Sequence, residues 1–208
     1  MDNTYQNTIQ TWRKLAEVYH EKFKDIRIYD ASYVAFASRI SYDKPSILEI
    51  GCGPGTATSW LRNRLPNAQI LATDVATEMI ELAQRHITGV RFDTLDARNV
   101  SSLTETFDAI FSGFCIPYLE KEDLTNFVRA IASKLNEQGI VYMSCIEGNY
   151  SNSQLQTGST GDSMKVHFYQ ESDLLSLFKV NNLQLIETIR VPYPLMDNSE
   201  QIHLILIG

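Results

Sequence analysis

The sequence predicts an α/β fold, a doubly wound seven-stranded sheet that is mostly parallel and whose last strand runs antiparallel. Three features predict it. The apolar run Ile47, Leu48, Glu49, Ile50 breaks into three glycines at alternate positions and then into a helical pattern. Strand-like and helix-like segments alternate from there to residue 180, which favours parallel pairing. Two strand-like runs, 183–191 and 201–207, then follow each other directly, as an antiparallel return requires. The 208 residues suffice for one domain with a substantial core and are few for two. The chain therefore reads as a single domain, with helices over residues 1–42 and a sheet-based core over 43–208.

Taken in order, residues 7–23 place Ile9, Trp12, Leu15, Ala16, Tyr19 and Phe23 at helical spacing, and 29–40 repeat the pattern with Tyr33, Phe36, Ala37 and Ile40. The first strand, 47–50, leads through the glycines to a helix at 56–65. A second strand, 69–73, ends at Asp74 and is followed by a helix at 77–86. The third strand begins at Arg91, a short helix spans 100–106, and the fourth strand is 107–113. A helix at 121–135 carries Leu124, Phe127, Val128, Ile131 and Leu135 along one face. Strand five is 139–146. The segment 148–162, rich in Ser, Thr, Asn and Gly, is too long for a minimal connector and reads as a loop bordering the ligand crevice. A helix at 172–180 precedes the closing strands.

The turn from Glu49 to Thr56 is the main chemical signal. Glycine supplies unusual backbone angles and lets main chain approach a ligand. The helix beyond it offers unpaired amides and a positive dipole end. A dinucleotide fingerprint would need glycine or alanine sixth in the count. Here that place holds Thr56 counted from Gly51, or Thr58 counted from Gly53. A nicotinamide-dependent oxidoreductase is disfavoured on that ground. Asp74, nineteen residues after Gly55, closes the second strand, where an acid can accept hydrogen bonds from both hydroxyls of a ribose.

The acid-x-Gly-x-Gly-x-Gly run from Glu49 to Gly55 resembles the first motif of the class I S-adenosylmethionine-dependent methyltransferases of small-molecule type. The resemblance continues through Asp74, the Asp96-Ala97 pair after strand three, and the fourth-strand run ending Ser112-Gly113. It implies a Rossmann-like methyltransferase fold, with the N-terminal helices as a lid and S-adenosyl-L-methionine as cofactor. It also implies that Glu49, Gly51, Cys52, Gly53 and Gly55 form the methionine-end turn and that Asp74 takes the ribose. Val75 and Met79 would flank the adenine and Asp96 with Ala97 would meet its amino group, while Ser112 and Gly113 border the methionine part. The segment from Trp12 to Tyr19 is similar to the tyrosine-bearing leader of many such enzymes, which puts Tyr19 at the ligand.

The implied activity is methyl transfer to a small-molecule acceptor. The alternative is a protein of this fold that binds S-adenosylmethionine or S-adenosylhomocysteine without transferring a methyl group. Should the acceptor need to lose a proton, His167 is the candidate general base, worth about 10²–10⁴-fold. His20, Tyr118, Glu147 and Tyr150 are weaker candidates, while His86 and His203, on a helix end and the terminal strand, are set aside from the chemistry. Tyr118, Tyr150, Phe168, Tyr169 and Tyr193 are placed to line an aromatic pocket. No Asn/Asp-Pro-Pro-aromatic run follows strand four, which disfavours nucleic-acid bases as acceptors.

A net charge of −7 with scattered basic residues argues against a nucleic-acid partner. The absence of a long apolar run or a basic, apolar leader points to a cytoplasmic protein without a membrane partner. Cys52, Cys115 and Cys145 lack paired metal-ligand spacing and read as packing residues, so no metal is expected. Oligomeric state is not legible.

Overall fold

The computed structural model describes residues 3–157, 161, 163–195 and 197–208. Seven strands form the main sheet: β1 (Ser46–Ile50), β2 (Gln69–Asp74), β3 (Arg91–Thr94), β4 (Phe107–Ser112), β5 (Leu135–Ile146), β8 (Glu187–Pro194) and β9 (Glu200–Ile207). Their order is β3-β2-β1-β4-β5-β9-β8. β1 pairs in parallel with both β2 and β4, so the chain reverses its direction of winding between β1 and β4. Ligand crevices form at such a switch, beyond the carboxyl ends of the strands. The last strand is antiparallel, as expected, and is inserted between β5 and β8 rather than added at an edge.

Six helices flank the sheet: α1 (Asn3–Phe23), α2 (Asp30–Ala37), α3 (Thr56–Arg64), α4 (Thr77–His86), α5 (Lys121–Lys134) and α6 (Glu171–Val180). Strand alternation divides the core between the two faces. Leu48, Ile50, Ile110, Val141, Leu204 and Leu206 pack with α5 and α6 residues on one face. Ile47, Ala109, Phe111, Tyr142, Ile205 and Ile207 pack with Phe36 and Leu61 on the other.

Four departures from the sequence reading have local causes. The helix expected at 100–106 is a 3₁₀ segment at Ala97–Ser102, capped by the Asp96 carboxylate accepting from the Arg98 amide. Strand five starts at Leu135, earlier than 139, because its pairing with β4 crosses a register shift beside Gln138, which has φ 62°. Strand six starts at Glu187 rather than 183, since Leu183 and Leu185 are used to pack against the α5 and α6 core. The polar segment at 148–162 is ordered where described. It contains a 3₁₀ turn at Tyr150–Asn152 and one strand of the hairpin β6 (Gln154–Thr157) with β7 (Ser163–Val166), while residues 158–160 and 162 lie outside the described residues.

α1 lies across the carboxyl end of the sheet, packed on α4 and β7. Its Ala16, Trp12 and Tyr19 meet Ala76, Met79 and Leu82. Among the described residues no helix is long and apolar enough to cross a membrane, and no three His, Cys, Asp or Glu residues are grouped to hold a metal.

Candidate functional site

The glycine turn is fixed to β2 before any ligand is considered. The Gly51 and Cys52 amides both donate to the Thr73 carbonyl, at 2.8 and 2.9 Å. Gly55 and Gly53 both have left-handed backbones, at φ 91° and 54°, but for different reasons. A Cβ on Gly55 would sit 2.4 Å from Ile87 Cδ1, so that glycine serves the packing of α3 against α4. A Cβ on Gly53 would meet nothing within 4 Å and would project into open space.

That space opens on a cavity floored by Gly51, Gly53 and Asp74 and roofed by α1. Asp74 is held from two sides: Oδ2 accepts from the Gly53 amide and Oδ1 from the Ala76 amide, both at 2.9 Å. Burial raises its carboxyl above the ordinary value, and these amides oppose the rise. Each oxygen keeps acceptor capacity for a ligand hydroxyl.

Val75, Met79, Leu95, Asp96 and Ala97 continue the wall. Asp96 meets the Arg98 guanidinium through both carboxylate oxygens, with Arg98 Nε at 3.0 and 3.1 Å and Nη2 at 2.6 Å. Burial alone would raise the Asp96 carboxyl; the guanidinium and the Arg98 amide outweigh it and hold it low. The guanidinium lies 4.0 Å from the Tyr5 ring centroid. The Tyr5 hydroxyl donates to Asp123 and accepts from the Glu120 amide at 3.0 Å, fastening the start of α1 to the start of α5.

The roof is aromatic. Trp12 stands edge-on to Tyr19 at 5.1 Å and to Tyr118 at 5.4 Å. Burial, then the proximity of Tyr193 and Asp74, pushes the Tyr19 hydroxyl up to about 12. Gly113, Phe114 and Cys115 close the side above β4. Phe114 holds the uncommon φ of 54°, with its amide donating to Ser144 Oγ at 2.9 Å.

The structure thus brings together Tyr19, Gly51, Gly53, Asp74, Val75, Met79, Asp96, Ala97 and Gly113. It does not bring Glu49, Cys52, Gly55, Ser112 or His167 to the cavity wall. Glu49 is 1% exposed behind the turn, with Oε2 unpartnered among the described residues; burial pushes it up to about 8, opposed by Thr58 and aided by Asp74. Cys52 and Ser112 are buried beneath the same floor. His167 is 1% exposed, its amide donating to the Pro117 carbonyl at 2.7 Å and its ring stacked on Tyr150 at 5.2 Å. A base must come within hydrogen-bond reach of the proton it takes, and His167 is tied away under the β7 connection. Of the five aromatics expected to line a pocket, only Tyr118 does.

Tyr5, Ile9, Arg98, Phe114 and Cys115 were not read as site residues. Ile9 belongs to the helical stripe of 7–23, whereas Tyr5 precedes it, and a stripe facing a cavity and one facing the core share a period. His203, set aside as a catalytic candidate, packs beside the site. Its Nδ1 is 2.6 Å from the Tyr29 hydroxyl, and its ring is 4.6 Å from Phe114 and 4.7 Å from Tyr193.

Residues 47–139 match the methyltransferase domain family. A malonyl-[acyl-carrier protein] O-methyltransferase of Bacillus anthracis is 36% identical over 100 residues, which is 47% of this chain and 36% of that one. The chain therefore spans little more than a third of that relative's length. A Burkholderia thailandensis 1,6-didemethyltoxoflavin-N1-methyltransferase, solved with 1,6-didemethyltoxoflavin and S-adenosylhomocysteine, superposes with a TM-score of 0.73 at 16% identity, covering 100% of this chain and 91% of that one. A Methanosarcina mazei protein described as a SAM-dependent methyltransferase gives a TM-score of 0.69 at 16% identity, covering 82% and 94%. Residues 47–139 are thus similar to a methyltransferase domain, and the whole chain shares its fold with solved methyltransferases.

Proposed function

We propose that this chain binds S-adenosylmethionine in the cavity beneath α1 and transfers its methyl group to a small molecule. The observation that carries the reading is the pairing of Gly53 with Asp74: a side-chain-free position opens on the cavity directly beside a carboxylate braced by two amides. In this reading Gly51, Gly53 and Gly113 admit the methionine end and Tyr19 closes over it. Asp74 accepts from the ribose hydroxyls, and Val75, Met79 and Ala97 flank the adenine. Asp96 meets the adenine amino group with whatever acceptor capacity Arg98 leaves. Glu49, Cys52, Gly55 and Ser112 support the turn from behind.

Held by Gly51, Gly53, Asp74 and Asp96, S-adenosylmethionine would supply a methyl group on a sulfonium sulfur for transfer to the acceptor. The chain's own contribution is to hold the two partners in line and to exclude water with α1, and alignment of this kind can account for much of a displacement rate. With His167 held away from the cavity, His167→Gln is expected to leave turnover within about twofold, because a base lost from within reach would typically cost 10²-fold or more. Transfer of labelled methyl groups from S-adenosylmethionine into pooled metabolites tests the activity. Binding of the cofactor with no labelled product would favour the non-transferring alternative.

A further inference from the structure

We propose that the acceptor side of this cavity takes a neutral, planar aromatic molecule bearing a hydroxyl or amine, and that it turns away carboxylates. The inference rests on the cofactor reading above and names the substrate class for the same cavity. With Gly51, Gly53, Asp74 and Asp96 assigned to the cofactor, the lining that remains around β4 and the roof includes Thr8 and Tyr19 together with Ile9, Trp12, Phe114, Cys115, Tyr118 and Leu119. Trp12 is perpendicular to both Tyr19 and Tyr118, at 87° and 86°, so flat ring faces and edges bound this part of the cavity at right angles. Such walls favour a flat aromatic guest by offset or edge contacts.

Charge decides against an anion. Among the described residues of the lining, Arg98 is the one cation, and it is already spent on both oxygens of Asp96 and covered by the Tyr5 ring. The remaining ionisable carboxylates of the wall, Asp74 and Asp96, are of the wrong sign for an acid. A carboxylate entering here would leave water without a cation to receive it, which is costly unless it is paired. The polar groups that are on offer suit a neutral partner. Tyr19 and Tyr118 have no hydrogen-bond partner among the described residues, and burial raises both phenols, keeping them protonated. Each can give or accept one hydrogen bond to a hydroxyl or amine.

The probes are naphthol, naphthoate and malonate, titrated by calorimetry into the full chain with and without saturating S-adenosylhomocysteine. Naphthol and naphthoate share a ring system and differ in charge. The expected result is naphthol binding at least about tenfold tighter than naphthoate, with malonate silent, since an unpaired buried charge costs more than one decade of affinity. Tyr118→Phe should weaken naphthol by about fivefold, the value of one neutral hydrogen bond, with S-adenosylhomocysteine affinity unchanged. Naphthoate or malonate binding as well as naphthol would overturn the proposal, and so would failure of both aromatic probes to bind. Failure of S-adenosylhomocysteine itself to bind would instead remove the cofactor reading, and the probe ranking without it would still be read.

Discussion

Two glycines of one turn carry different constraints, so single substitutions separate fold from ligand binding. Gly55→Ala places a methyl 2.4 Å from Ile87 Cδ1 on a φ of 91°. A loss of about 1–3 kcal/mol in stability is expected, read as a lower Tm. Gly53→Ala has the same backbone handedness but no steric neighbour, so it should lose more in cofactor affinity than in Tm. Asp74→Ala should weaken S-adenosylmethionine and S-adenosylhomocysteine alike, by about 1–3 kcal/mol, since both carry the same ribose. Unequal losses in paired titrations would contradict the ribose role. These positions were legible because backbone geometry forces glycine and strand ends at fixed spacings. Arg98 was not legible: its partners are the neighbouring Asp96 and, across the fold, the ring of Tyr5.

At the scale of elements, α1 is the part whose role sequence only half disclosed. Its apolar stripe gave the helix and, through the Trp12–Tyr19 segment, its place over the ligand. The clasp at its start depends on tertiary contacts: Tyr5 joins Asp123 and the Glu120 amide, and Lys165 of β7 pairs with Glu120 at 3.0 Å. Tyr5→Phe keeps the ring over Arg98 and removes the hydroxyl. Hydrogen exchange in α1 is expected to quicken by about fivefold to tenfold, the worth of one or two hydrogen bonds. Exchange that stays at the wild-type rate would mean the clasp does not hold the helix. The β6–β7 hairpin was hard to read because each strand is four residues long, with Leu155, Met164 and Val166 as the apolar members of its alternation. If α1 and this hairpin close over ligand, both should be protected from limited proteolysis by S-adenosylhomocysteine. Equal cleavage with and without it would contradict a lid.

For the molecule as a whole, the doubly wound sheet was readable from alternation alone, whereas the insertion of β9 between β5 and β8 was not, because strand order is a long-range choice. Two buried groups give the whole fold a pH signature. Burial pushes Glu49 up from 4.5 to about 8 and His203 down from 6.5 to about 4. A carboxyl raised in the fold lends stability that is full below 4.5 and lost as pH climbs through about 8. An imidazole lowered in the fold lends stability that is full above 6.5 and lost as pH falls through about 4. The slopes oppose each other where the windows overlap. Relative to wild type, Glu49→Gln should therefore gain stability as pH rises from 4.5 to 8, and His203→Gln should gain as it falls from 6.5 to 4. These shifts correspond to at most about 5 kcal/mol for Glu49 and about 3 kcal/mol for His203. Urea midpoints across that range check this, and curves parallel to wild type would contradict it.

Whether the cavity beneath α1 is the cofactor site is tested most directly by calorimetric titration of S-adenosylmethionine into the wild-type chain and into Gly53→Val. A β-branched side chain there must occupy the space left open beside Gly53 while adopting a φ of 54°. The expected result is one-to-one binding to wild type and none to a variant whose circular-dichroism spectrum shows it folded. Wild-type affinity in the folded variant, or no binding to wild type, would contradict the assignment.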